Sequence, residues 1–315
     1  MQLINMQLIY REEKKNYSVY KVCESALPDN TFIICHESAE KILYRPHIAG
    51  RELQSNMEKV AEIFMDAIGR MVLNGKRISQ ISELVFLAGG IYYQLNYGFK
   101  KNFRQAIPQC FLGIKRQRIE GSEGEFTAVA TYENFESLPD NATVIIGDTI
   151  ATGATLQKGI YHLLDAFEER NYTLENLVAC SLACSVNGAQ IMKEIERRIK
   201  RDFPEANVYL FVAEELFHLM PDGTDLRFLY DDCIMPAETK ERIKRNYGDY
   251  LGREMKCAVF DWGTRCKNPI KHYHEFLEFA DTALKQDSID SKSVEVLERM
   301  KKETKEALAN LETVL

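Results

Sequence analysis

The stretch from Val144 to Thr155, Val-Ile-Ile-Gly-Asp-Thr-Ile-Ala-Thr-Gly-Ala-Thr, restricts the folds open to this chain more than any other segment. Val144-Ile145-Ile146 is a short β-branched run, and it reads as a strand covered on both faces of a sheet. Asp148 ends the run, and a turn of hydroxyl-bearing and small residues follows. From about Thr155 a helix is predicted, because Leu156, Ile160, Leu163, Leu164 and Phe167 recur at helical spacing. In such a strand–turn–helix unit the amides and hydroxyls of the turn converge on an anion. The helix N-terminus adds unpaired N–H groups and the positive end of its dipole. Asp148 is placed to reach a sugar hydroxyl, or a metal ion carried by the ligand. The segment matches neither the Gly-x-x-x-x-Gly-Lys-Ser/Thr loop of nucleoside triphosphatases nor the Gly-x-Gly-x-x-Gly turn of dinucleotide binders.

The rest of the chain supplies the sheet to which this unit belongs. Apolar runs near 83–88, 109–114, 143–147, 177–183 and 207–212 read as strands, mostly separated by helical segments. Among the helices, one from about Ser55 to Asn74 presents Met57, Val60, Ala61, Phe64, Ile68 and Met71, with Gly75 as its stop. Another, near 187–201, places Ile191, Ile195 and Ile199 at four-residue steps. This alternation predicts an α/β fold with a parallel sheet and helices on both faces. Toward the N-terminus, Asn16–Val22 and Thr31–Cys35 flank a turn at Leu27–Asn30 and read as a hairpin added at the edge of the core. Beyond 291 the chain is charged, with Leu297, Met300, Thr304, Leu308, Leu311 and Leu315 in a heptad-like row. That row suits a helix packed on its own domain or a dimerisation helix. The expected organisation is a hairpin addition over 1–38, a main domain over 39–270 with an insertion at about 213–256, and a helical extension over 271–315.

Composition narrows the classes of function. With 45% hydrophobic and 28% charged residues in 315, the chain is an ordinary globular one. A formal net charge of −7 disfavours a nucleic-acid partner. No apolar run is long enough to cross a bilayer, and Met1–Tyr10 lacks the features of a signal peptide, so a cytoplasmic protein is expected. The eight cysteines are then expected as reduced thiols. Cys257, Cys266, His272 and His274 do not have finger-like spacing, and no protein-held metal is expected. Asp222, Asp225, Asp231 and Asp232 read as a solvated loop.

The Asp148-x-x-Ala151-Thr152-Gly153 turn resembles the phosphoribosyl-pyrophosphate (PRPP) loop of type I phosphoribosyltransferases, and is most similar to that of the uracil phosphoribosyltransferases. The resemblance extends over roughly residues 40–270. Val85-Phe86-Leu87-Ala88-Gly89 resembles the strand and small-residue loop that holds pyrophosphate, and Gly113-Ile114-Lys115-Arg116 the strand end that opens a flexible hairpin. Asp261-Trp262-Gly263-Thr264-Arg265 resembles the Asp-x-Gly-Asp-Arg segment beside the uracil pocket. Two positions depart from the pattern. Leu87 stands where the uracil enzymes carry Arg, and Thr264 where they carry Asp.

What the resemblance implies is phosphoribosyl transfer from PRPP to a base-like acceptor such as uracil, with Mg2+ bound through PRPP and a homodimeric assembly. Asp148 would be the catalytic residue, holding a ribose hydroxyl, while Thr149, Ala151, Thr152, Gly153, Ala154 and Thr155 would line the PRPP site. Ala88 and Gly89 would admit pyrophosphate close to the backbone, and Arg116 would cover it with positive charge. Asp261, Trp262 and Gly263 would face the base, and residues 120–125 would form a lid. A second class stays open: a regulator that keeps the fold and binds PRPP or a nucleotide without turnover, a reading favoured by Leu87 and Thr264.

Overall fold

The computed structural model describes residues 5–87, 90–118, 126–221, 223, 225–255 and 262–312. The chain opens with β1 (Asn5–Glu12), β2 (Tyr17–Cys23) and β3 (Asn30–Cys35), followed by α1 (Glu37–Tyr44) and α2 (Gly50–Met71). Next come β4 (Ile81–Phe86), α3 (Leu95–Phe103), β5 (Gln109–Arg118), β6 (Phe126–Asn134) and β7 (Ala142–Gly147). Then follow α4 (Ala154–Arg170), β8 (Leu174–Ser181), β9 (Cys184–Ser185), α5 (Val186–Asp202) and β10 (Asn207–Ala213). The last part holds β11 (Leu216–Leu219), β12 (Leu226–Arg227), α6 (Ala237–Tyr247), α7 (Asp249–Glu254), α8 (Trp262–Lys267), α9 (Pro269–Ala283) and α10 (Ser291–Glu312).

Nine of the described strands join in the order β1-β2-β3-β10-β8-β7-β4-β5-β6. From β3 to β5 every neighbouring pair is parallel, and the antiparallel strands β1, β2 and β6 lie outside them. The parallel strands are apolar on both sides because both sides are covered. Ile145, Val178, Cys180 and Phe211 point into one core with α1, α2, α3, α6, α7, α9 and α10. Their sequence neighbours Val144, Ile146, Leu177, Ala179, Leu210 and Val212 point into the other, against α4 and α5. The fold is therefore α/β, with a mostly parallel sheet between two helical layers, as the alternation predicts. Each Leu, Ile or Phe so buried contributes about 1.5–3 kcal/mol.

The expected hairpin is present as the antiparallel pair β2–β3, and β3 continues into the main sheet by pairing with β10. Tyr17 and Val19 enter one core while Tyr20 and Val22 enter the other, so both faces of β2 are used. Strand β1 is an addition to the sequence reading. As an edge strand it keeps Leu8 43% and Ile9 41% exposed, which blurs the alternation that marks a half-buried strand. Helix α2 begins at Gly50, ahead of the expected Ser55, because its N-cap Ala49 offers no side-chain signal. In α10, Val296, Leu297, Met300 and Thr304 are buried in the protein's own core, while Leu308 and Leu311 are half-buried.

A small second sheet, β12-β11-β9, sits beyond the C-terminal ends of the parallel strands, and Ile150 of the turn after β7 bridges to Cys184 of β9. No helix of the described residues is long and apolar enough to cross a membrane.

Candidate functional site

In a parallel α/β sheet the loops leaving the C-terminal strand ends gather along one edge, where ligands bind. Here the loops after β4, β7, β8 and β10 meet there, and the β7–α4 turn is central. It is held on the neighbouring strand by Asp148 N–H donating to Cys180 O (3.1 Å) and Ile150 N–H to Ala183 O (2.9 Å). Asp148, Thr149, Ala151, Thr152 and Thr155 are half-buried, Gly153 is buried and Ala154 is exposed. Gly153 takes φ +75°, and a Cβ there would lie 2.8 Å from Ile191 Cβ, so only glycine fits. The N-cap Gly153 gives the first turn of α4 no side-chain hydrogen bond, Ala154 N–H donates to Thr152 Oγ1 at 3.4 Å, and the helix dipole points at the turn. This part of the expected PRPP site is brought together as one cradle, built from backbone and small residues.

Two side chains that the sequence reading did not select brace the cradle. Ser185, the N-cap of α5, accepts from Gly188 N–H (2.7 Å) and donates to Ala151 O (2.5 Å). A serine just ahead of the helix near 187 carries the usual cap signature, so a signal for Ser185 was available. The second is Tyr93, 1% exposed, whose hydroxyl accepts from Leu182 N–H (3.0 Å) and pairs with Thr149 Oγ1 (3.2 Å). Burial pushes the Tyr93 phenol well above its ordinary pKa, and the charge of Asp148 adds to this, so the ring stays protonated. The ring passes so close to the strand end that a Cβ on Gly147 would be 2.7 Å from Tyr93 Cβ. No pattern in the sequence distinguishes Tyr93 from Tyr92 beside it.

The side expected to hold pyrophosphate is described only in part. Leu87 donates its N–H to Leu112 O and is 38% exposed, and Ile91 beyond it is 53% exposed. Ala88 and Gly89 lie outside the described residues, as do 119–125 with the expected lid. β5 carries the backbone to Arg118, beyond the expected end at 114, through its pairing with β6; the side chain of Arg116 lies outside the described residues. Lys115 is exposed.

The segment expected as an insertion supplies β11, β12, α6 and α7. Between β11 and β12 the chain turns back over the site, with Gly223 placed so that a Cβ would be 3.4 Å from Thr152 Cγ2. His218 stacks on Tyr230 with ring centroids 4.3 Å apart and receives Asp232 at Nδ1 (2.8 Å). At the root of the segment, Glu214 and Glu215 are fully buried. Glu214 accepts from His36 N–H and Arg242 Nη2 (both 2.6 Å), and Glu215 accepts from Tyr44 (2.8 Å). Burial raises their pKa values to about 7 and about 8, Arg242 opposing the rise in Glu214 and Tyr44 that in Glu215.

Asp261, expected to face the base, lies outside the described residues, as do the side chains of Trp262 and Gly263 at the start of α8. Arg265, the last residue of that motif, is described and is 1% exposed. It donates from Nε to Ile48 O (2.6 Å), from Nη1 to Ile42 O (2.8 Å) and from Nη2 to Arg45 O (3.0 Å). These carbonyls belong to the last turn of α1 and the loop after it, so Arg265 caps a helix C-terminus. The same loop is held by His272, whose ring meets Pro46 O (2.5 Å), and by His47, whose Nε2 lies 2.8 Å from Glu303. Burial, reinforced by the charge of Arg265, lowers the His47 pKa to about 3, so this contact is a hydrogen bond of a neutral ring. Cys266 is half-buried nearby, Cys257 lies outside the described residues, and among the described residues no group of three His, Cys, Asp or Glu is arranged to hold a metal ion.

No family model and no curated protein matches this chain. Among solved structures it is similar to a hypoxanthine phosphoribosyltransferase from Staphylococcus aureus, at 15% identity over 50% of this chain and 73% of that one, with a TM-score of 0.31. It is also similar to the Trypanosoma cruzi hypoxanthine phosphoribosyltransferase complexed with the product IMP, at 17% identity over 66% of this chain and 95% of that one, with a TM-score of 0.28.

Proposed function

We propose that this protein binds PRPP at the β7–α4 turn and transfers its phosphoribosyl group to a nucleobase-like acceptor, with Mg2+ entering as part of the PRPP complex. The observation that carries this is the cradle itself: an acidic strand end, a glycine-locked turn and a helix N-terminus whose N-cap glycine has no side chain to close it, within 147–155. Thr152, Gly153, Ala154 and Thr155 hold the 5-phosphate through amides and hydroxyls, with the α4 dipole adding attraction. Asp148 holds a ribose hydroxyl, which fixes the anomeric carbon relative to the leaving group. Charge builds on departing pyrophosphate in an oxocarbenium-like transition state, so the catalytic demand falls on whatever neutralises that group. Mg2+ supplies that charge, and Arg116 adds to it from β5. Asp261, Trp262 and Gly263 are assigned to the base side. The working form is proposed to be a cytoplasmic homodimer.

A second reading rests on Leu87. An apolar, partly exposed side chain at this position gives no charge-assisted contact to pyrophosphate, which suits a protein that senses PRPP without turning it over. One assay separates the two. The protein is incubated with PRPP, Mg2+ and a panel of bases including uracil and hypoxanthine, and pyrophosphate release is followed alongside PRPP binding by calorimetry. Release with at least one base supports the transferase. Binding without release from any base favours the sensor, and absence of binding overturns both.

A further inference from the structure

The turn after β7 is tied to the segment after β8 by more than the bridge from Ile150 to Cys184, and one residue makes two of the ties. Ser185 gives its N–H to Ile150 O at 2.8 Å and its hydroxyl to Ala151 O at 2.5 Å. The direction of the hydroxyl's bonds is fixed at both ends. A carbonyl only accepts, so Ser185 donates to Ala151; a backbone N–H only donates, so Ser185 accepts from Gly188 at 2.7 Å. Gly188 lets the start of α5 lie against the same two oxygens. A Cβ there would stand 2.6 Å from Ile150 O and 2.9 Å from Ala151 O. Both carbonyls therefore face α5, beside the positive end of its dipole.

A trans peptide is planar, and its N–H points opposite to its C=O. Holding Ile150 O and Ala151 O against α5 thus turns the N–H groups of Ala151 and Thr152 the other way. Neither donates to any group among the described residues. Two successive N–H groups turned to one side make a nest for an anion, and this pair stands immediately ahead of Gly153.

We infer that Ser185 is a positioning residue for the ligand site, which holds the Ala151 and Thr152 amides toward the phosphate of a bound ribose 5-phosphate group. This rests on the proposed PRPP site. The serine acts from the carbonyl side of the peptides, opposite to the amides that meet the anion. It sets those amides before the ligand arrives, which removes the cost of turning them during binding. Without the hydroxyl the 151–152 peptide loses the hydrogen bond on its oxygen, and its N–H is free to rotate out of the site.

The test is calorimetry on the intact protein with ribose 5-phosphate, and separately with Mg2+ and pyrophosphate, for wild type, Ser185→Ala, Ser185→Cys and Ser185→Thr. Ser185→Ala is expected to bind ribose 5-phosphate about tenfold more weakly. Ser185→Thr keeps both the helix cap and the donor, and is expected to stay within about threefold of wild type. Ser185→Cys, with a weak S–H donor, should fall between the two, and it decides the matter if Ser185→Ala does not fold. Affinity for pyrophosphate with Mg2+ should be the same in all four, whereas general damage to the site would weaken both ligands. Wild-type affinity for ribose 5-phosphate in Ser185→Ala, or in Ser185→Cys where only that variant folds, would overturn the inference. So would parallel losses of both ligands, or failure of Ser185→Thr to restore binding. Failure of wild type to bind ribose 5-phosphate removes the proposed function, and this inference with it.

Discussion

The β7–α4 turn and the Arg265 clamp both resolve the unsatisfied backbone groups of a helix end, and they do so in opposite ways. At the start of α4 the N-cap Gly153 offers no side chain, and the Ala154 N–H meets only Thr152 Oγ1 at a long 3.4 Å, beside a turn of small residues. At the end of α1 the carbonyls of Ile42, Arg45 and the nearby Ile48 are all taken by one buried guanidinium. The first helix end is only weakly satisfied, which suits the ligand proposed for it, and the second is closed by the protein itself. Both lie in stretches that resemble functional motifs, so motif likeness alone does not separate a binding element from a brace. Whether the polar groups are satisfied internally does.

The largest effect is expected at the brace. Arg265→Ala takes its donor away from three carbonyls, of which Arg45 O keeps the Ile48 N–H, and opens a cavity, at a cost of about 3–5 kcal/mol. Calorimetry should show a fall in Tm on the order of 10 °C. If Tm moves by less than about 2 °C, the clamp contributes little and the contrast with the cradle collapses.

Next comes the cradle's own backbone. Gly153→Val forces a branched residue into φ +75° and against Ile191. The expected cost is about 2–4 kcal/mol in urea unfolding, accompanied by loss of PRPP binding. Gly153→Ala should show a smaller form of both effects.

At Asp148 the two readouts should part. Asp148→Asn is expected to lower PRPP affinity by at least about tenfold while leaving Tm within about 1 °C. Unchanged affinity would remove the ribose contact from the proposal.

The smallest effect concerns pH, at the root of the segment over the site. Glu214 and Glu215 hold their protons more tightly folded, with pKa values near 7 and 8, than unfolded, where glutamate titrates near about 4.3. Their contribution is fully present below the unfolded value and is lost as pH rises through about 7 to 8, so stability should fall across pH 5–8. Glu215→Gln should flatten that decline in thermal melts, and an unaltered slope would show that the pair does not govern it.

The legible parts of the fold were those in which local chemistry and tertiary role agree. The runs at 143–147, 177–183 and 207–212 are apolar because both faces of the sheet are covered, and the strands lie there. The turn at 148–155 was legible because small residues, a glycine and an acid have few other reasons to stand together. The role of Arg265 was not: the sequence shows it only as the end of a segment resembling the base-pocket motif, and the three carbonyls from residues 42–48 that it holds gather around it only in the fold. Tyr93 was missed for the same reason, since its partners are 56 and 89 positions away in sequence. Edge strand β1 escaped because half-exposed Leu8 and Ile9 imitate a loop.

The left-handed backbone of Gly223 above Thr152 carries an evolutionary consequence. The chain after β10 passes over the candidate site, and at Gly223 it comes within van der Waals reach of Thr152 in the β7–α4 turn. Any lineage that rebuilds this roof keeps the constraint of φ +71° at 223, which favours glycine there whatever residue stands at 152. Glycine should therefore persist at 223 among descendants of this chain, while the segment around it changes in length and composition.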